Sequence, residues 1–489
     1  MKKIKNFFLY NDDLIVPKAQ RNNFVFSYFC LGKIFCVALL FFSSFSVLIA
    51  KDTGSAEKTE TTVEIEEQES EKEKELNKIK YGLDDEISSM LDEFIKDETY
   101  LYLDEIYDLF LRSKTTGLRE KIITYFTKAK DPRLTDYALE ILEDPFDTKK
   151  STVSLLFTYV SELKITEAAV FAKNLLENDN MEYFDSALSA LAEIGSVEDA
   201  EFLAEYIDRD DLSVGQRQSV MKALGRLKAV ETWDSLVEII QNEDENSFVR
   251  MYAAEAIGAM EKAESVPVLI DLFESNDPNF RTSVVKALSN YSNDEEAIGV
   301  IIESIRDSHY KVRLESISAI KKMELKEAED YVVYRAKNDP ESSVKYACYD
   351  TIVALDSKEG LDYLVSILKD KKQGDTAKSK AAEALLKHGG SSYVNAVIDL
   401  AKETLSDTKK KQLRYALGKL FAKQENSAYA DICLEYLKSD DVSTVGTGLD
   451  IYAKNHFPSV TPEVQKIANT ESKTQNANKT KARKILDRE

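Results

Sequence analysis

A short apolar phrase recurs every 31–33 residues, and this repeat restricts what the chain can fold into more than any other feature. Eight copies align without internal gaps, and they start at Phe184, Arg217, Arg250, Arg281, Arg313, Lys345, Lys378 and Lys410. Counted from each start, position 3 is small or apolar, position 6 is alanine in seven copies and threonine in one, and position 7 is leucine or isoleucine. This spacing marks one face of an α-helix, and the small residue at position 6 predicts that a second helix approaches closely. Because so short a unit cannot bury its own apolar face, neighbouring copies must stack.

The stretch from Ser265 to Tyr291 shows one unit most clearly. Its first half places Val266, Leu269 and Leu272 at helical spacing. Residues 276–279, Asn-Asp-Pro-Asn, then interrupt the pattern, because proline lacks an amide donor and restricts the residue before it. The repeated phrase follows this turn. Each unit is therefore predicted to consist of two helices joined by a tight turn.

The turn residues resemble those of a known repeat family. Residues 277–281 read Asp-Pro-Asn-Phe-Arg, valine precedes both Arg250 and Arg313, and Asp-Pro at 339–340 comes shortly before Val-Lys at Lys345. This pattern is similar to the Asp-Pro-x-Val-Arg turn of HEAT repeats, in particular the short repeats of phycobilisome-lyase-like proteins. The resemblance covers residues 118–453. It implies an all-α fold, a right-handed α-solenoid of stacked helical hairpins.

The resemblance also implies where individual residues lie. In HEAT repeats the second helix of each unit lines the concave surface, and the turn aspartates and arginines form ladders along the stack. Here the later copies carry lysine in place of arginine. An ammonium group does not reproduce the bidentate contact of a guanidinium group. We therefore expect the charge ladder to fade toward the C-terminus.

The first 50 residues differ from the rest of the chain. Six basic residues precede an uncharged apolar run at residues 34–50, and acidic residues follow it. This order predicts a cytoplasmic N-terminus and export of the remainder. With residues 24–32 included, the apolar stretch approaches the roughly 20 residues that span a bilayer, so a cleaved signal peptide and a signal anchor both stay open. We expect an exported, periplasmic protein, associated with the inner membrane through residues 24–50 if this segment is not cleaved.

Three further segments flank the repeats. Residues 51–80 are rich in glutamate and lack aromatics, which is typical of a disordered acidic linker, although the part from Glu69 onward could extend a helix into the domain. Residues 81–117 regain helical spacing without fitting the phrase, and terminal units of solenoids are usually atypical, so they are predicted to form an N-terminal helical cap. Residues 454–489 are predicted to form a C-terminal helical cap and tail.

Composition and the reactive side chains argue against two classes of function. A net charge of −22 is unfavourable for a general nucleic-acid binder, which needs a basic surface. Beyond the apolar run the cysteines are Cys348 and Cys433, which occupy apolar positions two units apart and are predicted to be core residues. The histidines are His309, His388 and His456; none is followed by glutamate, and the first two are predicted to be surface or capping residues. We therefore expect no enzyme and predict neither a metal site nor a cofactor site.

Four aspartates recur six positions before a repeat start, at Asp211, Asp244, Asp307 and Asp339. Regularly spaced carboxylates are compatible with cation ligands. Aspartates in turns, however, commonly accept hydrogen bonds from helix-end amides and pair with nearby arginines. The structural role is the one we predict for them.

The expected function is therefore binding at the surface. Positions 1, 2 and 5 of the phrase fall opposite the buried positions, and they select as candidate protein-binding residues Met251, Tyr252, Glu255, Lys286, Tyr346, Asp350, Lys411 and Tyr415. The three tyrosines are the predicted anchors, because tyrosine combines apolar area with a polar tip. The resulting hypothesis is a non-catalytic scaffold of the cell envelope that binds protein partners along the concave face. The alternative is a lyase-like or enzyme-accessory protein that holds a small ligand or pigment in the groove.

Overall fold

The computed structural model describes residues 71–487 apart from Asp208 and Asp210. The predicted signal peptide or anchor at residues 1–50, and residues 51–70 of the predicted linker, lie outside the described residues. Within the part that is described, every regular element is a helix, as the repeat predicts. None of these helices is long and apolar enough to cross a membrane.

The described residues form 26 α-helices, which fall into an even-numbered and an odd-numbered series. The even series is α2 Asp84–Lys96, α4 Thr116–Ala129, α6 Lys150–Glu162, α8 Phe184–Ile194, α10 Val214–Arg226, α12 Ser247–Ala259, α14 Pro278–Leu288, α16 Tyr310–Met323, α18 Ser342–Ala354, α20 Asp375–His388, α22 Lys411–Phe421, α24 Val442–Asn455 and α26 Asn476–Leu486. The odd series is α1 Glu71–Tyr81, α3 Leu103–Arg112, α5 Thr135–Glu143, α7 Ala169–Glu177, α9 Val197–Ala204, α11 Trp233–Gln241, α13 Ser265–Leu272, α15 Glu295–Ser304, α17 Glu329–Asn338, α19 Lys358–Lys369, α21 Ser391–Leu405, α23 Ala430–Leu437 and α25 Thr461–Ala468. Short 3-10 turns lie at Pro132–Leu134, Thr166–Ala168, Val230–Thr232, Lys326–Ala328, Thr408–Lys410, Ser427–Tyr429 and Lys473–Gln475.

These helices build one continuous stack of hairpins. Each even helix packs against the next even helix, from α2 through to α26, and against the odd helix that precedes it in the chain. The repeated phrase falls on the even helices from α8 to α22. The predicted arrangement of two helices per unit and stacked units is therefore present.

The turn before α14 shows why each unit breaks where it does. Asp277 is the N-cap residue of this helix, and its carboxylate accepts a hydrogen bond from the amide of Asn279 at 2.8 Å. Pro278 occupies the first helical position, where its missing amide hydrogen costs nothing because that amide would have no intrahelical partner. Further along α14, Val284, Val285 and Leu288 are buried. The predicted turn and the predicted buried face are both confirmed here.

Small residues allow the even helices to approach closely. Ala287, at position 6 of its copy, lies against Gly258 of the preceding even helix: a Cβ atom added to Gly258 would be 2.5 Å from the Cβ of Ala287. Gly225 meets Ala256 in the same way, with 2.9 Å between its added Cβ and the Cα of Ala256. Position 6 therefore reflects helix packing, as predicted. The glycines contribute a second small position, position 8, to the same contact.

Helices also form both ends of the described part of the chain. Residues 71–80, assigned to the disordered linker, belong to helix α1, in agreement with the helical extension that the segment from Glu69 allowed. The packing of even helices also continues past residues 118 and 453, so the predicted caps are further layers of the stack. At the two extremes α1 and α26 touch, with Lys484 Nζ 3.2 Å from Glu75 Oε1. Glu75 is buried and also accepts a hydrogen bond from the Tyr102 hydroxyl at 2.9 Å.

Candidate functional site

An open groove crosses four successive even helices, α10, α12, α14 and α16, and has a volume of about 580 Å³. Its lining follows the repeat. Position 6 forms the floor with Ala256, Ala287 and Ala319, while positions 5 and 9 form two stripes along it. Residues spaced like this share one side of a helix, so stacking four helices aligns them into a continuous surface. The repeat thus supplies a uniform floor, and the variable positions supply its chemistry.

Tyr252 is the aromatic residue of this groove. Its side chain is half-buried, and Lys222 Nζ of the preceding even helix lies 4.4 Å from the centre of its ring. This geometry is that of a cation–π contact, which also fixes the position of the ring. The hydroxyl of Tyr252 has no hydrogen-bond partner among the described residues.

Two other predicted residues, Glu255 and Lys286, meet beside Tyr252. Lys286 Nζ lies 2.6 Å from Glu255 Oε2, and the Ser283 hydroxyl donates to the other oxygen of Glu255 at 3.1 Å. Three of the eight candidate residues are therefore brought together in the groove. They come from two adjacent even helices.

The far end of the groove carries a second carboxylate, that of Glu315. Burial raises the pKa of Glu315, and repulsion by Glu255 adds to this, while Lys286 and Lys322 act in the opposite direction. Lys322 Nζ donates to Asn290 Oδ1 at 2.7 Å and to the Ser289 hydroxyl at 3.2 Å. The groove therefore combines one aromatic ring, two carboxylates and several cations over an alanine floor.

The other predicted residues lie elsewhere. Met251 packs against the core. On α18, Tyr346 packs against the ring of Tyr349 with 5.7 Å between ring centres, and Asp350 forms an ion pair of 2.8 Å with Lys387. These residues do not line the groove, so their predicted role in binding stays a prediction.

Lys411 and Tyr415 converge on one carboxylate, that of Asp441. The Tyr415 hydroxyl donates to Asp441 at 2.7 Å, and Lys411 Nζ lies 2.8 Å from its other oxygen. Burial alone would raise the pKa of Asp441, but the hydrogen bonds from Lys411, Tyr415 and Thr444 hold it well below its usual range. The polar ends of both predicted binding residues are thus engaged within the protein.

Most residues that line the groove were not among the predicted ones, and they include Lys222, Arg226, Ser318 and Lys322. A sequence signal for them existed. Lys222 and Ser318 occupy position 5, as Glu255 and Lys286 do, while Arg226 and Lys322 occupy position 9, one helical turn further along the same face. If positions 5 and 9 had been selected in every copy of the repeat, these four residues would have been included.

The turn charges form the predicted ladder over part of the stack. Arg281 binds Asp307 through two hydrogen bonds of 2.8 and 2.9 Å, and Arg313 binds Asp339 through two of 2.8 Å. Asp307 and Asp339 also accept from backbone amides two residues further on, which is the predicted capping role. The pattern ends by Lys378, whose ammonium group donates to the Leu368 carbonyl instead.

Two of the four turn aspartates behave differently from the prediction. The guanidinium group of Arg217 binds Glu245 rather than its neighbour Asp244, with hydrogen bonds of 2.8 and 3.1 Å. Asp211 pairs with Arg209, two residues before it, instead of with a repeat arginine. A glutamate one residue later reaches the same guanidinium, so the spacing alone did not identify the partner.

The reactive side chains are engaged in structural roles. Cys348 and Cys433 are both buried and free, and burial raises the pKa of the Cys433 thiol to about 12. His309 is the N-cap residue of α16, and His388 Nε2 lies 2.9 Å from Asp356. Among residues 71–487, as far as they are described, no group of three histidine, cysteine, aspartate or glutamate side chains is placed to hold a metal ion.

Comparison with known proteins gives one family match. The family model described as spirochaete HEAT repeat protein matches residues 79–485. No curated protein matches the chain.

Several solved structures are similar in fold. The complex of CpcE and CpcF of phycocyanin lyase from Nostoc sp. PCC7120 is 16% identical with a TM-score of 0.30, over 52% of this chain and 94% of that one. Kap121p bound to Nup53p is 14% identical with a TM-score of 0.38, over 85% of this chain and 53% of that one. The chain thus spans about half the length of Kap121p. At these identities and TM-scores the likenesses do not bear on ligand or partner.

Proposed function

The chain belongs to the spirochaete HEAT repeat protein family, and from this premise we propose that it is a non-catalytic scaffold that binds a protein partner along its even helices. The groove over α10 to α16 is the observation that carries this proposal. In this groove the side chains at positions 5 and 9 differ between copies of the repeat, whereas the floor at position 6 is always alanine. Stacked helical repeats characteristically use such extended surfaces for binding.

The chemistry of the groove suits a protein partner. Tyr252 offers a ring held in place by Lys222, and aromatic side chains fixed in position lose little entropy when they bind. Glu255, Lys286 and Lys322 present charges of both signs around it. Such a mixture of an aromatic anchor with surrounding charged groups is typical of protein interfaces. The groove is open rather than enclosed, which favours a polypeptide over a small molecule that must be surrounded.

The non-catalytic part of the proposal rests on the state of the reactive groups. Cys348 and Cys433 are buried with raised thiol pKa values, so neither is a ready nucleophile. His309 caps a helix and His388 contacts Asp356. None of these four side chains lines the groove.

We place the scaffold in the cell envelope because of the N-terminal sequence. Basic residues followed by the apolar run 34–50 and then by acidic residues favour export of the remainder. A reporter enzyme active only in the cytoplasm and fused at Glu489 is expected to be inactive. Activity of that reporter would contradict the proposed location.

The binding proposal is tested with a matched pair of tyrosine variants. Tyr252→Ala removes the groove ring, and Tyr334→Ala removes an exposed ring on α17 that also has a guanidinium nearby, that of Arg335 at 5.9 Å. After crosslinking in native cells, we expect a protein partner with wild type and Tyr334→Ala, and at least a tenfold lower yield with Tyr252→Ala. Equal yields from both variants would contradict the proposal, and a bound chromophore or small molecule without a protein partner would support the alternative of a ligand carrier.

A further inference from the structure

We infer that the groove binds an extended, acidic segment of the partner protein, and that Lys222 and Lys322 receive its carboxylates. This inference rests on the proposed scaffold function and specifies the chemistry of the partner. It follows from the charges of the groove, from its length, and from the charge of the whole chain.

The cations of the groove differ in whether they form an ion pair with a carboxylate of the protein. Lys286 is paired with Glu255, and Arg226 forms an ion pair with Glu193. Lys222, by contrast, contacts the face of the Tyr252 ring, which is neutral. It has no ion pair with any described residue.

Lys322 is in a similar position. Its hydrogen bonds go to the neutral side chains of Ser289 and Asn290, and in the described part of the chain it forms no ion pair. Lys222 and Lys322 are both exposed. Neither of these two cations, at opposite ends of the groove, has a carboxylate partner among the described residues, so both can bind one from outside.

The length of the groove fits an extended chain. Lys222 lies on α10 and Lys322 on α16, which are three steps apart in the even series. Packed helices are about 8–10 Å apart, so the two helices are separated by roughly 24–30 Å. An extended polypeptide advances about 3.3 Å per residue, so a segment of roughly seven to nine residues reaches from one lysine to the other.

Because the chain is acidic overall, a site that selects acidic segments is unusual on its surface. The chain has a net charge of −22, which is unfavourable overall for binding acidic segments. The groove lining carries four cations and two carboxylates, so it is locally positive. Complementary charge of this kind increases the rate of encounter and excludes partners of the wrong sign, and salt weakens it. Glu255 is paired with Lys286, whereas Glu315 forms no ion pair with a described residue and opposes an acidic ligand, so its neutralisation should strengthen binding.

The test uses the full chain, immobilised, and a randomised nonapeptide display library as the probe. We compare wild type with Lys222→Gln/Lys322→Gln and with a control, Lys321→Gln/Lys358→Gln, which has the same net charge. Lys321 and Lys358 are exposed, form no ion pair with a described residue and do not line the groove. Peptides selected by wild type are expected to be enriched in aspartate and glutamate.

Measured individually, the selected peptides should bind the groove variant at least about tenfold more weakly than wild type, a difference of roughly 1.4 kcal/mol. They should bind the control within about twofold of wild type, and Glu315→Gln should bind them more tightly. The inference is overturned if no peptides are selected, if those selected lack acidic enrichment, or if both double variants bind them equally. A protein partner that is lost with Tyr252→Ala but has no acidic contact segment would leave the scaffold function standing and refute this inference alone.

Discussion

The close contact between α12 and α14 predicts that one methyl group at Gly258 destabilises the protein. In Gly258→Ala the new Cβ would lie 2.5 Å from the Cβ of Ala287, 2.6 Å from its Cα and 3.0 Å from its carbonyl carbon. Carbon atoms prefer a separation of about 3.5–4.0 Å. Two of the three atoms belong to the backbone, so no side-chain rotation relieves the contact and the helices must move apart.

Two opposing effects decide the magnitude. Alanine is a better helix former than glycine by up to about 1 kcal/mol, which would stabilise α12. Overpacking of a close contact costs about 1–3 kcal/mol, and a backbone contact belongs at the upper end of that range. We therefore expect a net loss of roughly 1–2 kcal/mol in the free energy of unfolding. Separating α12 from α14 also separates Glu255 from Lys286, so binding in the groove should weaken as well.

The control is Gly299→Ala, in the middle of α15, where an added Cβ would have no atom within 4 Å. This variant gains the helix preference without the contact and should be equal to or more stable than wild type. Urea unfolding followed by circular dichroism is expected to give the order Gly299→Ala, wild type, Gly258→Ala from highest to lowest midpoint. A midpoint for Gly258→Ala at or above that of Gly299→Ala would refute the account of position 8.

Three further predictions concern charged groups. Arg313→Met removes the bidentate partner of Asp339, whose side chain is fully buried, and should lower the free energy of unfolding in urea by about 3 kcal/mol. The pKa of Asp441 is lower in the folded state than its unfolded-state value of about 3.9, so the stabilisation from its ionised form is complete above that pH and is lost as pH falls through the folded-state pKa. Asp441→Asn should therefore reduce the loss of stability below about pH 4 in acid titrations. Lys484→Glu places two carboxylates together at Glu75 and should lower the melting temperature by about 1–2 °C in calorimetry, with recovery when Glu75→Lys is added.

Each of these has an outcome that contradicts it. For Arg313→Met, the expected loss in the free energy of unfolding is at the lower end of the usual range because Arg335 still lies 3.6 Å from Asp339. A loss below about 1 kcal/mol would show that the pair of Arg313 and Asp339 is unimportant for stability. An unchanged acid profile in Asp441→Asn would mean that its hydrogen bonds are absent in solution. Failure of the reversed pair to recover stability would indicate that Lys484 and Glu75 do not interact.

The architecture could be predicted from the sequence because the same packing requirement recurs in each copy of the repeat. Alanine at position 6 and the aliphatic residue after it are explained by helices that approach closely, as at Ala287 and Gly258. The turn at Asp277-Pro278 was equally clear, because capping and the proline restriction are local effects. The ends were less clear: α1 lies in a segment whose composition is typical of disorder, and its contact with α26 joins residues about 400 positions apart.

The lining of the groove was predicted only in part, since it depends on residues in neighbouring units. Of the residues predicted to bind protein, Tyr252, Glu255 and Lys286 line the groove, whereas Tyr415, selected by the same rule, donates its hydroxyl to Asp441. Position within one helix determines which side a residue faces. It does not determine whether a carboxylate in the interhelical turn of the next unit is near enough to accept a hydrogen bond from it.

Site-specific photocrosslinking in living cells tests most directly whether the groove is a protein-binding surface. A photoreactive phenylalanine analogue replaces Ser318, which is exposed and lines the groove, or Tyr334, which is exposed on the odd helix α17. We expect a discrete protein adduct from position 318 that is lost when Tyr252→Ala is added, and none from position 334. Absence of any protein adduct at position 318, or the same adduct from both positions, would contradict it.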